Sequence, residues 1–432
     1  MNYQETLDYL YSRLPLFSRV GAAAYKADLT NTIKLCDLLG NPHKKFKCVH
    51  VAGTNGKGSV SHMLAAIYQQ AGYKTGLYTS PHLKDFRERI RINGEMIDKE
   101  FVVTFTDRMK DHITAIQPSF FEITVAMAFD YFANEETDIA IIETGLGGRL
   151  DSTNVITPEL SVITNIGFDH MNLLGNTLEQ IAFEKAGIIK YGIPVVVGES
   201  NGITDPVFLE IAERNRAPIT FAPTQRHALS WHWENGMLEV EIAKNESVDH
   251  ENYLLDLPGI YQVKNIVTVL TAIDILQQHG WKITHVNVVN GLKQVKKTTG
   301  LHGRWELVHQ HPTIVMDVAH NEDGIRQLLQ QVELTDHHEL RIVIGLVNDK
   351  EIEKILSLLP VTANYYFTQA KIPRALDAKV LGKKAAENGL HGVVINDVNE
   401  AVRQAKQDAR KNDLVIICGS VFVVGEVELP IK

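Results

Sequence analysis

The run Phe46-Lys47-Cys48-Val49-His50-Val51-Ala52-Gly53-Thr54-Asn55-Gly56-Lys57-Gly58-Ser59 decides how this chain is read. Phe46–Ala52 is a β-prone stretch, and a helix-period segment, Ser59–Gln70, follows the glycines. A strand led through glycines into a helix lets consecutive backbone N–H groups curl around an anion. The helix start adds partial positive charge and Lys57 adds a full one. Strand, glycines, lysine, hydroxyl and helix therefore fall in the order that a nucleotide phosphate loop needs. The generic G-x-x-x-x-G-K-[ST] pattern is not met literally, because Val51 stands at the first glycine position and Gly58 separates Lys57 from Ser59. On these residues alone an ordinary glycine-rich strand-to-helix turn is the competing reading.

Working outward, Lys74–Thr79, Asp138–Glu143, Leu160–Asn165 and Ile193–Gly198 read as further apolar strands with helical stretches between them. Continuous apolar strands alternating with helices predict a parallel sheet covered on both faces, with ligands beyond the carboxyl ends of its strands. Residues 218–258 break that rhythm, and Asn235-Gly236 between alternating residues predicts a β-hairpin. A helix is expected over Val263–Gln278. After a linker near 296–301 the alternation restarts, with strands expected at Thr313–Val318, Glu339–Leu346, Asn364–Thr368, Gly392–Ile395 and Leu414–Cys418. The predicted fold class is α/β. It comprises an N-terminal phosphate-loop ATPase-type domain (1–297), with a mostly parallel sheet and a smaller β-rich subsection, and a C-terminal Rossmann-like α/β domain (298–432).

A length of 432 residues fits two or three domains at about 150 residues each. The net charge of −9 argues against non-specific nucleic-acid or anionic-membrane binding, which needs clustered excess cation. Three widely spaced cysteines, Cys36, Cys48 and Cys418, predict neither a disulfide framework nor a structural zinc site, and suit a reducing compartment. The acidic start of the chain does not read as a signal peptide, and the most apolar segment, Leu414–Val424, is too short to span a bilayer. A cytoplasmic protein is expected.

Gly53-Thr54-Asn55-Gly56-Lys57-Gly58-Ser59 also resembles the nucleotide loop of the folylpolyglutamate synthase and dihydrofolate synthase family, in the Mur ligase superfamily. Thr79-Ser80-Pro81-His82-Leu83 with Glu88-Arg89-Ile90, Phe121-Glu122 with Thr124, and Glu143 through Asn154 resemble further family motifs. Asp169-His170, Glu184-Lys185-Ala186-Gly187, Gln262 with Asn265, Gly303-Arg304 with Glu306, Asp317 with Ala319-His320-Asn321, and Gly419-Ser420 with Gly425-Glu426 follow in family order. The resemblance covers about residues 46–426. The chain departs from the pattern at Tyr261, His302 and Val318, and at Ala23-Ala24-Tyr25-Lys26, where the family often has Gly-Leu-Glu-Arg.

The resemblance implies ATP-driven amide formation. A carboxylate has no good leaving group until the γ-phosphoryl of ATP converts it to an acyl phosphate; the amino group of glutamate then displaces phosphate. Protein groups chiefly position the reactants and neutralise charge. Lys57 and the loop Gly53, Thr54, Asn55, Gly56, Gly58 and Ser59 would cradle the phosphates. Glu143, at the end of a strand, suits a magnesium-holding acid, since magnesium takes hard oxygen ligands. The resemblance adds Ser80 and His170 as ligands. It adds Lys185, as a carbamate, at a second magnesium. Asn265, Arg304, Asp317 and His320 would contribute to the ATP site, and Phe121, Glu122, Leu150, Asp151 and Ser152 to a pterin–benzoate pocket. Lys57, Lys185 and His170 form the implied catalytic set. The implied substrates are ATP, L-glutamate and tetrahydrofolate or dihydropteroate, handled by a monomer with no nucleic-acid or membrane partner. A cell-wall Mur ligase and a non-catalytic nucleotide switch are the alternatives.

Overall fold

The computed structural model describes residues 1–15, 21, 26, 28–245, 250–348 and 352–431. They form two compact units. The first holds Met1–Gly167, Met171–Asp256 and Tyr261–Leu301; the second holds Phe168–His170, Leu257–Ile260 and His302–Lys432.

In the first unit, β1 (Lys47–Ala52), β2 (Thr75–Tyr78), β3 (Ile90–Ile92), β4 (Glu95–Met96), β5 (Ile139–Glu143), β6 (Leu160–Ile163), β7 (Val195–Val197) and β8 (Ile219–Phe221) make one sheet in the order β4-β3-β2-β5-β1-β6-β7-β8. Strands β2, β5, β1, β6, β7 and β8 run parallel, and β3 and β4 add an antiparallel edge. β1 lies between β5 and β6, and all of it beyond Lys47 is buried. Burial on both faces is why its sequence lacks alternation. The helix Lys57–Gln70 is buried throughout Gly58–Tyr68. It packs with the helices Gln262–Gln278 and His285–Lys293, so it too lacks a polar stripe.

β9 (Arg226–Glu234), β10 (Met237–Lys244) and β11 (His250–Leu255) form the antiparallel subsection. Its hairpin turn has Asn235 and Gly236 at φ 52° and 78°, the left-handed pair that matches strand twist in a two-residue loop.

The second unit contains β12 (Glu306–Gln310), β13 (Thr313–Met316), β14 (Leu340–Ile344), β15 (Asn364–Phe367), β16 (Gly392–Val394) and β17 (Leu414–Cys418), in the order β12-β13-β17-β14-β15-β16. β12 is antiparallel to β13, and the others are parallel. The α/β reading of both halves agrees with these sheets.

Some details differ from expectation. The stretch taken as a linker near 296–301 contains a helix, Val295–Thr299, ended by Gly300 at φ 69°. Asp256 Oδ2 accepts the Lys296 N–H at 2.8 Å at the start of that helix. The division between the units falls after Leu301, beyond the expected 297/298 boundary. Asn93 and Gly94, at φ 50° and 82°, turn β3 into β4, a hairpin the sequence reading passed over. Of the departures near the N-terminus, Ala23, Ala24 and Tyr25 lie outside the described residues. Cys36, Cys48 and Cys418 are free and buried; burial pushes the Cys36 thiol up to about 12 and raises the other two further. Among the described residues no helix is long and apolar enough to cross a membrane.

Candidate active site

β1 ends at Ala52 and the loop Gly53–Gly56 leads into the helix at Lys57. The loop is pinned from β6 and the segment after it. The Thr54 N–H donates to the Asn165 carbonyl (2.9 Å) and the Asn55 N–H to Asn165 Oδ1 (2.8 Å). Thr54 Oγ1 donates to the Gly167 carbonyl (3.0 Å), and Thr164 Oγ1 donates to the Asn55 carbonyl (2.5 Å). Both loop glycines are needed for space. A Cβ on Gly53 would lie 1.9 Å from Thr164 Oγ1, and one on Gly56 (φ 81°) would lie 2.5 Å from Asn265 Oδ1. Asn265 thus abuts the loop and donates to Gln262 Oε1 (2.8 Å), while Gln262 donates to Ser59 Oγ (3.1 Å). Gln262 is a supporting residue whose role the sequence reading left open.

Two lysines meet at one carbonyl. Lys57 Nζ donates to Gly53 O (3.0 Å) and Thr54 O (3.1 Å), and Lys185 Nζ donates to the same Gly53 oxygen at 2.7 Å. Lys185 is 4% exposed, in the helix Leu178–Ala186. Glu143 ends β5 beside Val51 of β1, is 4% exposed, and accepts the Ser80 N–H at 3.2 Å. Lys57, Lys185, Glu143 and Ser80 all belong to the first unit, whereas His170, at φ 50°, belongs to the second.

Ser80 is held by the motif after it. Glu88 accepts the N–H groups of Leu83 (2.7 Å), Lys84 (3.2 Å) and Asp85 (3.0 Å), and Arg89 Nε donates to His82 Nδ1 at 2.8 Å. Burial, reinforced by the Arg89 charge, lowers the His82 ring to about 3. The acid and base of Glu88-Arg89 thus shape the Ser80 segment.

Phe121 and Glu122 open the helix Phe120–Asn134. Ser119 and Glu122 make a capping box, with the Ser119 N–H on Glu122 Oε2 at 2.6 Å. The S-x-x-E spacing signals this cap in sequence. Glu122 Oε1 is buried with no hydrogen-bond partner among the described residues. The Phe121 ring lies against Gly145, where a Cβ would come within 2.5 Å of it. Leu150 is half-buried and Ser152 buried. The Asp151 carboxylate, 2% exposed, is committed internally: it accepts from Leu146 N (2.8 Å), Thr153 N (2.9 Å) and Thr153 Oγ1 (2.5 Å). Burial raises its pKa against the pull of these bonds. It caps the turn Ser152–Val155 rather than standing open to a ligand.

In the second unit, Asp317 accepts the N–H groups of Trp305 (2.8 Å) and Ala319 (2.9 Å), fixing the turn that carries Arg304. His320 Nε2 is 3.3 Å from Asp169 Oδ2, and Asn321 Nδ2 donates to the same oxygen at 3.2 Å. Asp169, which the sequence reading gave no role, joins the His170 turn to His320 within this unit. Among the described residues, the one group of three or more His, Cys, Asp or Glu side chains close enough to share an ion lies elsewhere, at His232, Glu234 and Glu239. Cross-strand register alone brings His232 and Glu239 together on the β9–β10 face.

The chain matches the Mur ligase middle domain over residues 51–273 and the Mur ligase, glutamate ligase domain over residues 303–421. It is 34% identical to the dihydrofolate synthase/folylpolyglutamate synthase of Bacillus subtilis, over 100% of this chain and 99% of that protein. The chain belongs to the folylpolyglutamate synthase and dihydrofolate synthase family. That family lies within the Mur ligase superfamily. Two solved family structures bear on the site. E. coli FolC, in complex with DHPP and ADP, is 27% identical with a TM-score of 0.85, covering 98% of this chain and 96% of that one. A bifunctional folylpolyglutamate synthase/dihydrofolate synthase from Yersinia pestis, complexed with AMPPNP and Mn ion, is 29% identical with a TM-score of 0.82, covering 98% and 97%. Family membership sets aside the cell-wall ligase and nucleotide-switch readings.

Proposed function

We propose that this protein is an ATP-dependent ligase that joins L-glutamate to folates through an acyl phosphate, extending tetrahydrofolate and also converting dihydropteroate. The observation that carries the reading is the loop Gly53–Gly56 at the end of β1, with the Lys57 ammonium on its carbonyls and Glu143 at the end of the neighbouring β5. A cationic side chain on a glycine loop suits a polyphosphate, and a carboxylate beside it suits its metal.

The residues present fit ATP and magnesium. Gly53 and Gly56 leave backbone open where a side chain would clash, and Glu143 and Ser80 offer hard oxygen donors. Lys57 holds the phosphates, and Asn265, Arg304, Asp317 and His320 complete the nucleotide set. Glu143, Ser80 and His170 hold a first magnesium, which supplies charge neutralisation when bound. Lys185, as a carbamate, serves a second. The enclosure of Lys185, with its Nζ on the Gly53 carbonyl of the loop, supports a role there. Phe121 packs the flat pterin, and the unpartnered Glu122 Oε1 accepts from its ring or amino N–H donors. Leu150, Asp151 and Ser152 form the pocket wall, with Asp151 acting through the loop it ties. The chain up to Leu301 acts chiefly as the ATP-binding domain, and His302–Lys432 as the glutamate ligase domain. The protein works as a cytoplasmic monomer.

The test supplies ATP, magnesium and glutamate with tetrahydrofolate or dihydropteroate and weighs the product. A gain of one glutamyl group per turnover, with ADP release dependent on both folate and glutamate, is expected. ATP hydrolysis indifferent to both would overturn the reading.

A further inference from the structure

We propose that a buried hydrogen-bond chain, His50–Thr153–Asp151, positions the loop after Glu143 against Phe121, so that His50 and Thr153 are positioning residues for recognition of the folate substrate. The proposal rests on the ligase reading above. His50 sits in the middle of β1, wholly buried, between Ile142 of β5 and Ser161 of β6. Its Nε2 is 2.8 Å from Thr153 Oγ1, and Thr153 Oγ1 is 2.5 Å from Asp151 Oδ1.

The direction of the chain follows from its far end. Asp151 Oδ1 already accepts the Thr153 N–H, so the Thr153 hydroxyl donates to it as well. The hydroxyl oxygen then accepts from His50, which places the ring proton on Nε2. His50 Nδ1 is buried with no partner among the described residues, as an unprotonated nitrogen in an apolar setting would be. Buried groups linked in series strengthen one another, and removing one strands the rest.

What the chain holds is the wall of the substrate pocket. Asp151 Oδ2 accepts the Leu146 N–H, closing the loop 144–151 on itself. One residue earlier, Gly145 lies directly under the Phe121 ring. The nucleotide loop is held by a separate set, Thr164, Asn165 and Gly167. Loosening Thr153 therefore moves the folate-facing loop and leaves the phosphate loop in place. The expectation is a split between two substrates of one enzyme, which a general loss of folding would not give.

Thr153→Val keeps the side-chain shape and deletes the hydroxyl; Thr153→Ser keeps the hydroxyl. Thr153→Val is expected to raise the KM for tetrahydrofolate or dihydropteroate about tenfold, the scale of one lost hydrogen bond to a charged group. The dissociation constant for ADP should be unchanged, and Thr153→Ser should behave as wild type. The Leu146 amide should also exchange its hydrogen faster in Thr153→Val. An unmoved KM, serine as impaired as valine, or a parallel loss of ADP affinity each overturns the proposal. If Thr153→Val does not fold, His50→Gln, which keeps a donor, against His50→Leu carries the same comparison. A wild-type enzyme with no folate-dependent turnover sinks the ligase reading instead, and the Leu146 exchange then still decides whether the chain positions the loop.

Discussion

Replacing Lys57 by alanine removes the full charge nearest the expected phosphates, an ammonium that bonds the Gly53 and Thr54 carbonyls of the loop, and leaves the apolar core intact. Turnover should fall by about 10²–10³, as for loss of one preorganised donor to developing charge, with the melting temperature nearly unchanged; wild-type turnover would remove Lys57 from the site. His50 gives a pH signature. Burial holds its folded ring at about 3, against an unfolded value of about 6.5. Between those values the unfolded chain binds a proton that the folded one refuses. The contribution is therefore complete above pH ~6.5 and drains away as pH falls towards 3, by up to about 1.4 kcal/mol per pH unit. Urea titrations at pH 7 and pH 5 should show a smaller pH loss in His50→Gln than in wild type; equal losses would show that His50 titrates freely. At this scale the loop lysine and the strand-end Glu143 were legible from residue type and position. Asp151 and Glu122 were only half legible. Each sits in a motif, but which backbone amides take its oxygens depends on how the chain folds back.

Glycine requirements belong to the elements. Gly56 and Gly72 both hold left-handed φ, 81° and 86°, yet a Cβ on Gly72 meets nothing within 4 Å. Gly72→Ala should lose only the conformational term, about 1–2 kcal/mol. Gly56→Ala should lose more, because its Cβ collides with Asn265, and ADP affinity should fall with it. Calorimetric melts and ADP titrations of the pair check this; matching behaviour would show that the loop tolerates a side chain. Most strands were readable because apolar runs between helices leave few alternatives. The β3–β4 hairpin carried a legible Asn-Gly signal in a segment read for chemistry instead. The helix Val295–Thr299 was not readable from Lys-Lys-Thr-Thr, since its stabilising partner, Asp256, lies 40 residues away.

Across the whole molecule, the second unit recruits two segments that its own stretch of sequence does not contain. Asp169 serves His320 and Asn321, and the Ile260 N–H donates to Gln331 Oε1 at 2.7 Å. A fragment starting at His302 loses both. It should be less stable than the same unit within the full chain, by about 1 kcal/mol for each neutral hydrogen bond lost. Urea unfolding of the fragment, compared with exchange of β13–β17 amides in the intact protein, measures the difference; equal protection would show the segments to be passengers. That borrowing was invisible in sequence, because a three-residue excursion such as Phe168–His170 leaves no periodicity to read.

The three enclosed thiols make the protein its own clock. Cys36 and Cys48 lie in the first unit and Cys418 in the second, and each must reach water before an alkylating reagent can mark it. Pulsed alkylation followed by peptide mass analysis would thus time the opening of each unit separately, in the unaltered chain and without an added probe.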